Sequence, residues 1–577
     1  MSTISSVLIA NRGEIAVRIA RAARDLGIRT VAMYTDADVG ALHTEIAEEA
    51  HAVSSYLDVD ALLEVASRAG VDSVHPGYGF LSENAGAARA VQDAGLVWIG
   101  PSPETIETLG DKMAARQLAE QSGAPLAPGT SEPLTSWEQA RDFAEEHGLP
   151  IAIKAAFGGG GRGLKVVTEE DGLEAVEGAF AAAGRESQEA FGRAECFVEK
   201  FLARPRHVEA QVLADSHGAV AVVGTRDCST QRRFQKLVEE APAPFLSAEQ
   251  NRRIIDGARE VCRAAGYVGA GTVEFIVAED GTVSFLEVNT RLQVEHPVTE
   301  AVSGIDIVQE QFRIAAGGRL TVDPDADPVA HGHAVEFRIN AEDVAHGFAP
   351  CPGTVSHFEP PTGPGIRVDS GVRSGSTIPG SYDSLLAKLV VWGPDRETAL
   401  RRARAALDEF RIDGVRTVLP FHRDIVREPA WSGGADDFAM CTDWVDREYV
   451  PGARTVADVS FDDIYADRTT LAVEIAGVLQ HVRVPSVLLQ GGGAASGDGH
   501  TAGDGDPGDV PAPFAGTLAG WQVSDGDTVE ENQTIATVEA MKMESPVTSP
   551  VSGTIHLHAE PGDTVARGDV IARVVEE

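Results

Sequence analysis

Lysine is scarce in this 577-residue chain, with seven Lys against 41 Arg, so the positions that keep an amine are the first candidates for chemistry. A lysine amine can be acylated to an amide or act as a compact point charge, whereas a guanidinium offers only the charge and its fork of donors. Lys542 occupies Glu539-Ala540-Met541-Lys542-Met543-Glu544, 35 residues before the C-terminus and between two apolar side chains, where an amine reads as an attachment point. Lys154 ends the strand-like run Ile151-Ala152-Ile153-Lys154, and Gly158-Gly159-Gly160-Gly161-Arg162-Gly163 follows three residues later. Successive glycines free the backbone to fold its N–H groups over phosphate oxygens. The run fits neither G-x-x-x-x-G-K-[ST] nor G-x-G-x-x-G, so neither of those nucleotide loops is supported.

A second constellation is acidic. Residues 272–277 and 283–287 flank Asp280-Gly281, which predicts a hairpin with a two-residue turn and position 279 opposite 282. Paired positions then sum to 561, which sets Glu274 directly against Glu287, with Cβ atoms roughly 5 Å apart. Carboxylates so placed repel, and a divalent cation between them is the economical remedy. Beyond the hairpin, Glu287, Asn289, Arg291, Gln293 and Glu295 alternate with Val, Thr, Leu and Val, so an extended chain would send all five to one face. Fully extended they would stretch roughly 26 Å, too far for one reacting centre. The segment is therefore expected to bend after Arg291.

These groups need elements to hold them. The opening run Ser6-Val7-Leu8-Ile9-Ala10 reads as a strand, too short and uncharged for a signal peptide, and strand–helix alternation continues to Ile99-Gly100. That alternation predicts an open parallel sheet with ligands beyond the strand C-termini, where the glycine-rich loop at residues 75–84 falls. Near the C-terminus a half-domain is repeated, with an offset of 37 at Gly516/Gly553 and 36 at Asp527/Asp563. Two such halves related by a pseudo-twofold close a small barrel, with Lys542 on the segment joining them. Residues 491–509, rich in Gly, Asp, Ala and Ser, read as a flexible tether spanning roughly 25 Å r.m.s. and about 60 Å when stretched.

The bulk properties bound the rest. The length suits about four domain-sized units at roughly 150 residues each. Apolar content of 43% with 24% charged residues is a globular mixture, and a formal charge of −40 argues against nucleic acid or anionic membrane as partners. The five cysteines are scattered without a CxxC pair, as expected of buried thiols in a reducing compartment, and no apolar run reaches membrane-span length. A cytoplasmic protein is the expectation.

The Ala-Met-Lys-Met tetrad resembles the biotin attachment site of biotin-dependent carboxylases, and the repeat around it resembles the biotinyl/lipoyl carrier domain. Lipoyl carriers flank their lysine with acidic residues rather than Met, which favours biotin. Residues 287–300 (Glu-Val-Asn-Thr-Arg-Leu-Gln-Val-Glu-His-Pro-Val-Thr-Glu) resemble the signature of biotin carboxylase, the ATP-grasp enzyme that carboxylates biotin. Gln231-Arg232-Arg233-Phe234-Gln235-Lys236, Arg12-Gly13-Glu14-Ile15, and Arg338 within residues 332–340 match in family order, over residues 1 to about 447. With the carrier added, the whole resembles the α subunit of an acyl-CoA carboxylase of the acetyl- or propionyl-CoA type.

The resemblance implies an α/β ATP-grasp biotin carboxylase followed by an all-β carrier barrel. Its parts would be an N-terminal parallel-sheet domain (1–110), an ATP-grasp domain with its lid (111–315) and a C-terminal domain (316–447). A short linker or partner-docking segment (448–490), the tether (491–510) and the carrier (511–577) would follow. Lys112, Lys154, Gly159, Gly160, Gly161, Glu199, Lys200, Phe201, Leu202, His207 and Gln231 would contact ATP, and Glu274, Glu287 and Asn289 would hold Mg2+ or Mn2+. Lys236 and Arg291 would bind bicarbonate, with Gln293 and the Val294 backbone orienting it. Glu295 would remove its proton to give carboxyphosphate, and Arg338 would stabilise the negative oxygen developing on biotin, which Lys542 carries. Phe234 stands where some members have His near the nucleotide, so it receives no contact. Lys165 and Lys388 match no ligand position and are expected to have surface roles. The implied partners are a separate carboxyltransferase β subunit, a biotin protein ligase and further copies of the chain, with acetyl-, propionyl- or longer acyl-CoA as acceptor. Two other readings stay open: another ATP-grasp ligase with an appended carrier, and a non-catalytic biotinyl scaffold.

Overall fold

The computed structural model describes residues 4–130, 132–155, 163–451, 468–475, 478–485, 508–513, 516–540, 543–565 and 568–575. Gly159, Gly160, Gly161, Lys542 and nearly all of the expected tether lie outside the described residues.

The N-terminal alternation folds into a five-stranded, wholly parallel sheet in the order Glu49–Ala52, Arg29–Tyr34, Ser6–Ile9, Ser73–His75, Val97–Trp98. Helices Gly13–Asp25, Val59–Ala69 and Ala85–Asp93 connect it. Covered on both faces, its central strand is an uninterrupted buried run rather than an alternating one. Asn11 closes the C-terminal edge of that strand by donating to the carbonyls of Pro76 (2.7 Å) and Tyr78 (2.8 Å). The glycine-rich loop is thereby held over the start of helix Gly13–Asp25.

The centre is one antiparallel sheet of eight strands, in the order Val283–Asn289, Gly269–Val277, Arg206–Ala214, Val220–Arg232, Gln235–Ala241, His333–Asn340, Leu385–Gly393, Ile366–Ser370. Gln235–Ala241 pairs with His333–Asn340, so the sheet runs unbroken across the boundary expected at 315/316. A smaller sheet, Leu164–Val167, Ile151–Ala155, Cys196–Lys200, carries the strand that precedes the glycine run. Helices Trp137–His147 and Val176–Phe191 cover it with the apolar faces of Ala140, Phe143, Val176 and Ala183. Beneath the last strands of the large sheet, Phe337, Phe410, Phe421 and Trp431 form a fully buried aromatic core.

The acidic hairpin reaches its expected register by an unexpected route. Ala278 N–H donates to Thr282 O (2.8 Å), leaving a three-residue loop in which Gly281 has φ +88°. The strands leave that loop with Phe275 opposite Phe285, one residue short of the expected sum. A bulge at Leu286 then restores the pairing, so Glu274 does face Glu287. The following segment bends sooner than expected, because the strand ends at Asn289 and helix His296–Ser303 begins soon after.

Each half of the C-terminal repeat supplies two strands to each of two four-stranded sheets. One is ordered Asp509–Pro511, Val570–Val575, Gly553–Leu557, Thr528–Val529, and the other Met543–Thr548, Thr534–Ala540, Gly516–Trp521, Thr564–Val565. Exchanging the halves exchanges the sheets, which is the pseudo-twofold that the repeat predicts. Strand Thr534–Ala540 ends with Ala540 opposite Met543, the residue that opens its partner strand, so the chain around Lys542 joins these two strands. Between the two folded parts, Arg468–Ile475 and Val478–Pro485 pair as an antiparallel hairpin within the expected linker.

The N- and C-terminal parts of the carboxylase-like region touch backbone to backbone at Gly371. A Cβ there would lie 2.6 Å from Glu14 N and 2.8 Å from Gly13 C, with no flexible side chain to yield. Gly371→Ala should therefore cost about 1–3 kcal/mol of packing strain, seen as a drop of several degrees in the first thermal transition. An unchanged transition would mean that this contact is looser than drawn.

Candidate active site

Three neighbouring strands set Glu209, Glu274 and Glu287 abreast, Glu274 being in register with both others. Lys236, from strand Gln235–Ala241 one strand beyond Val220–Arg232, reaches across to them. Its Nζ contacts Glu209, Glu274 (3.0 Å) and Glu295 (2.8 Å). Arg226 holds Glu209 from below through Nε (3.0 Å) and Nη2 (2.9 Å), and both residues are wholly buried. Arg338 donates to Glu239 (2.6 Å) and to the second oxygen of Glu295 (2.8 Å), and His207 Nε2 lies 2.9 Å from Glu274. Burial disfavours every one of these charges, and only mutual pairing makes the cluster tolerable.

The pairing sets the protonation states. Burial pulls the Lys236 ammonium down, but Glu209, Glu274 and Glu295 outweigh it and hold it well above its usual range. Burial pushes Glu295 up, yet Lys236 and Arg338 keep it below the usual carboxylate value, so it is ionised and able to accept a proton. Glu274 lies well below its usual value: Lys236 and then His207 overcome its burial. Its opposite number is different. Burial, and next the charge of Glu274, raise Glu287, whose nearest cation is Lys112 at 4.0 Å. A half-compensated pair of hard oxygen donors is a site a divalent cation fits. Asn289 sits beside it, donating to Glu274 (2.8 Å) and accepting from Arg291 (3.2 Å).

A cavity of about 990 Å3 opens above this cluster, lined by Lys112, Lys154, residues 199–202, His207, Gln231 and Gln293 among others. Lys154 is ion-paired with Glu199, which Arg116 also approaches at 3.6 Å. The Lys200 amine donates to the carbonyls of Gly148 (3.0 Å) and Leu149 (2.9 Å), so in this conformation it braces the small sheet. Arg291 lies on the cavity wall, held by Glu83 of the glycine-rich loop (2.9 Å) and by Gln293 (3.0 Å). Gln293 in turn donates to Glu274 (3.1 Å), linking Arg291 to the Lys236 cluster. Phe234, two-thirds exposed, forms with Arg233 a two-residue turn in which both have positive φ (64° and 47°).

Sequence reasoning missed several members of this site. Glu209 carried a signal: it alternates with His207 and Gln211 along a strand that is otherwise apolar. Glu239 and Arg226 lay in strand runs whose partners are remote in sequence, and only the fold brings them in. Lys388, expected at the surface, is fully buried, and its Nζ donates to the Val294 carbonyl (2.9 Å) and pairs with Glu14 (3.1 Å). A lone charge inside Leu385-Leu386-Ala387-Lys388-Leu389-Val390-Val391 was the available sign. Lys165 does lie part-exposed, ion-paired with Glu186. Chemically, the arrangement offers fixed cations at one end of a cleft, an ionised carboxylate between two of them, and an acidic pair suited to a metal.

Four family descriptions match the chain in succession: "Biotin carboxylase, N-terminal domain" (3–106), "Carbamoyl-phosphate synthase L chain, ATP binding domain" (111–322), "Biotin carboxylase C-terminal domain" (336–447) and "Biotin-requiring enzyme" (508–574). The biotin-dependent acyl-coenzyme A carboxylase alpha3 subunit of Mycobacterium leprae is 49% identical and covers 99% of both chains. Among solved structures, a biotin carboxylase–β,γ-ATP complex from Campylobacter jejuni superposes with a TM-score of 0.72 at 39% identity, over 77% of this chain and 99% of that one. The biotin carboxylase domain dimer of Hydrogenobacter thermophilus 2-oxoglutarate carboxylase, bound to MgADP, ADP and bicarbonate, gives 0.71 at 41% identity, over 77% and 98%.

The cluster makes a pH prediction. Burial above all, with Glu295 adding repulsion and Arg338 opposing, raises the Glu239 carboxyl to about 7. The folded chain therefore keeps this proton up to about pH 7, whereas the unfolded chain releases it near its ordinary value of 4.5. Stability from this group is complete below the unfolded value and drains away as the pH rises toward 7. Glu239→Gln, isosteric and non-ionising, should flatten the fall in melting temperature between pH 5 and 7. Parallel profiles for variant and wild type would refute the assignment.

Proposed function

The chain belongs to the biotin-dependent acyl-CoA carboxylase α subunits, in which a biotin carboxylase and a biotin carrier share one polypeptide, and from this we propose the roles of its residues. The reading is ATP- and bicarbonate-dependent carboxylation of biotin carried on Lys542. The single observation that carries it is Glu295, a buried, ionised carboxylate gripped on one oxygen by Lys236 and on the other by Arg338 at the floor of the cavity.

Lys112, Lys154 and the glycines at 159–161 hold the ATP phosphates, and residues 199–202 with His207 and Gln231 form the nucleotide wall. Glu274, Glu287 and Asn289 supply the oxygen ligands for Mg2+ or Mn2+, which when bound neutralises charge on the phosphoryl oxygens. Lys236 and Arg291 hold the bicarbonate anion, and Gln293 with the Val294 backbone orients it. Glu295 takes the bicarbonate proton, and the freed oxygen attacks the γ-phosphorus as the bond to ADP breaks, giving carboxyphosphate, which divides into CO2 and phosphate. The released phosphate would take the ureido N–H proton of biotin carried on Lys542, that nitrogen would add to CO2, and Arg338 would stabilise the charge developing on the adjacent oxygen.

Carboxyl transfer to an acyl-CoA falls to a separate carboxyltransferase β subunit, since the residues assigned here account for the first half-reaction only. Acetyl-, propionyl- and longer acyl-CoA are the candidate acceptors. A biotin protein ligase loads Lys542, further copies of the chain assemble with the β subunit, and the setting is the cytoplasm. No described helix is long and apolar enough to cross a membrane, and the net charge of −40 suits neither nucleic acid nor an anionic bilayer.

Incubating the biotinylated chain with MgATP and labelled bicarbonate tests this. Label should appear on the wild type and be absent from Lys542→Ala. A blank wild type with biotin confirmed by mass would leave another ATP-grasp ligase or a biotinyl scaffold. Within the same assay Glu295→Gln should label at least about 100-fold more slowly, the low end of what a general base contributes. A rate within threefold of wild type would remove Glu295 from the role.

A further inference from the structure

Lys388 is the one fully buried lysine among the described residues, in a chain that otherwise prefers arginine. Strand pairing places it directly opposite Arg338 on one side and Asp369 on the other, so its side chain shares the face of the sheet that carries Arg338. Two cations side by side on neighbouring strands repel unless each has its own counter-charge. Arg338 has the ionised Glu295, and Lys388 has Glu14, 3.1 Å away, with Asp369 on the next strand. Its remaining reach goes to the Val294 carbonyl at 2.9 Å. Consecutive residues of one turn are therefore held by neighbouring cations, Val294 by its backbone and Glu295 by its side chain.

That turn belongs to no regular element. It lies between the end of strand Val283–Asn289 and helix His296–Ser303, and among the described turn and loop bonds no backbone N–H donates to Val294 O, which accepts from the Lys388 amine. Glu14 is anchored in turn by the Tyr78 hydroxyl, which lines the same cavity. Lys388 thus ties three parts of the chain at one point: helix Gly13–Asp25, the 290–295 turn and strand Leu385–Gly393.

We propose that Lys388 is a positioning residue for bicarbonate. Through the Val294 carbonyl it fixes the turn that presents Gln293 and Glu295, without itself touching the substrate. A guanidinium would not substitute, because the site is sized for a compact ammonium between one carbonyl and one carboxylate. The inference rests on the carboxylase reading above.

Steady-state ATP cleavage by the full biotinylated chain, titrated separately with bicarbonate and with ATP, tests it. Lys388→Met should raise KM for bicarbonate at least tenfold and leave KM for ATP within twofold of wild type. Should that variant fail to fold, Glu14→Gln keeps the shape and removes the counter-charge, and it should raise KM for bicarbonate at least threefold. A folded Lys388→Met whose bicarbonate KM is unmoved, or Glu14→Gln with the same result, would reduce Lys388 to a structural cation and overturn the proposal. Wild-type ATP cleavage that ignores bicarbonate altogether would instead bring down the carboxylase reading, and this inference with it.

Discussion

The shared ammonium of Lys236 is the interaction on which the site depends. Glu209, Glu274 and Glu295 come from three separate segments and converge in an interior where an unpaired carboxylate is not tolerated. One point charge with three donors can serve all three, and a guanidinium fork, built for two parallel contacts to one carboxylate, could not take that place. Arg226 below and Arg338 beside it complete the neutralisation, each with the bidentate or two-partner geometry that does suit arginine. The division of labour between the rare lysines and the abundant arginines is thus geometric.

Around that centre the fold works as a frame that lets remote segments meet. The large sheet carries Glu274, Glu209, Arg226, Lys236, Arg338 and Lys388 on successive strands, while the N-terminal sheet contributes only loops and one helix end, through Glu83, Tyr78 and Glu14. A continuous sheet is rigid across its strands, so the cations on it keep fixed spacing. The pieces from the N-terminal part are joined to them by a shared apolar core (Ile9, Ile15 and Ile19 with Leu213, Leu292 and Phe312), by ion pairs and by the close approach at Gly371, and among the described residues not by strand pairing.

Local pattern made some of this legible and hid the rest. Parallel alternation, the repeat and the opposition of Glu274 to Glu287 could be read because each depends on near neighbours in sequence. Even there the route differed: the glycine in the hairpin loop shortens the register by one and the bulge at Leu286 returns it, two local events whose cancellation no pairing sum reveals. The bend at Asn289 came early, although the neighbouring strand runs on to Gly269. Glu209 and Lys388 left only faint signs and Glu239 none, since a buried charge shows its purpose only through partners that are distant in the chain. Lys388 in particular was misjudged by a rule that fails in the interior: a charge without a recognised ligand was assigned to the surface.

The interleaving of the C-terminal repeat has a consequence for how that domain holds together. Neither half owns a complete sheet, since residues 509–540 and 543–575 each leave two strands in one layer and two in the other. A single half would expose unsatisfied strand edges. The two halves meet at residues 541–542, the second of which is the proposed attachment lysine. Cleavage there would give two fragments that can persist only as a pair, and the intact chain gains stability by turning a bimolecular encounter into an intramolecular one.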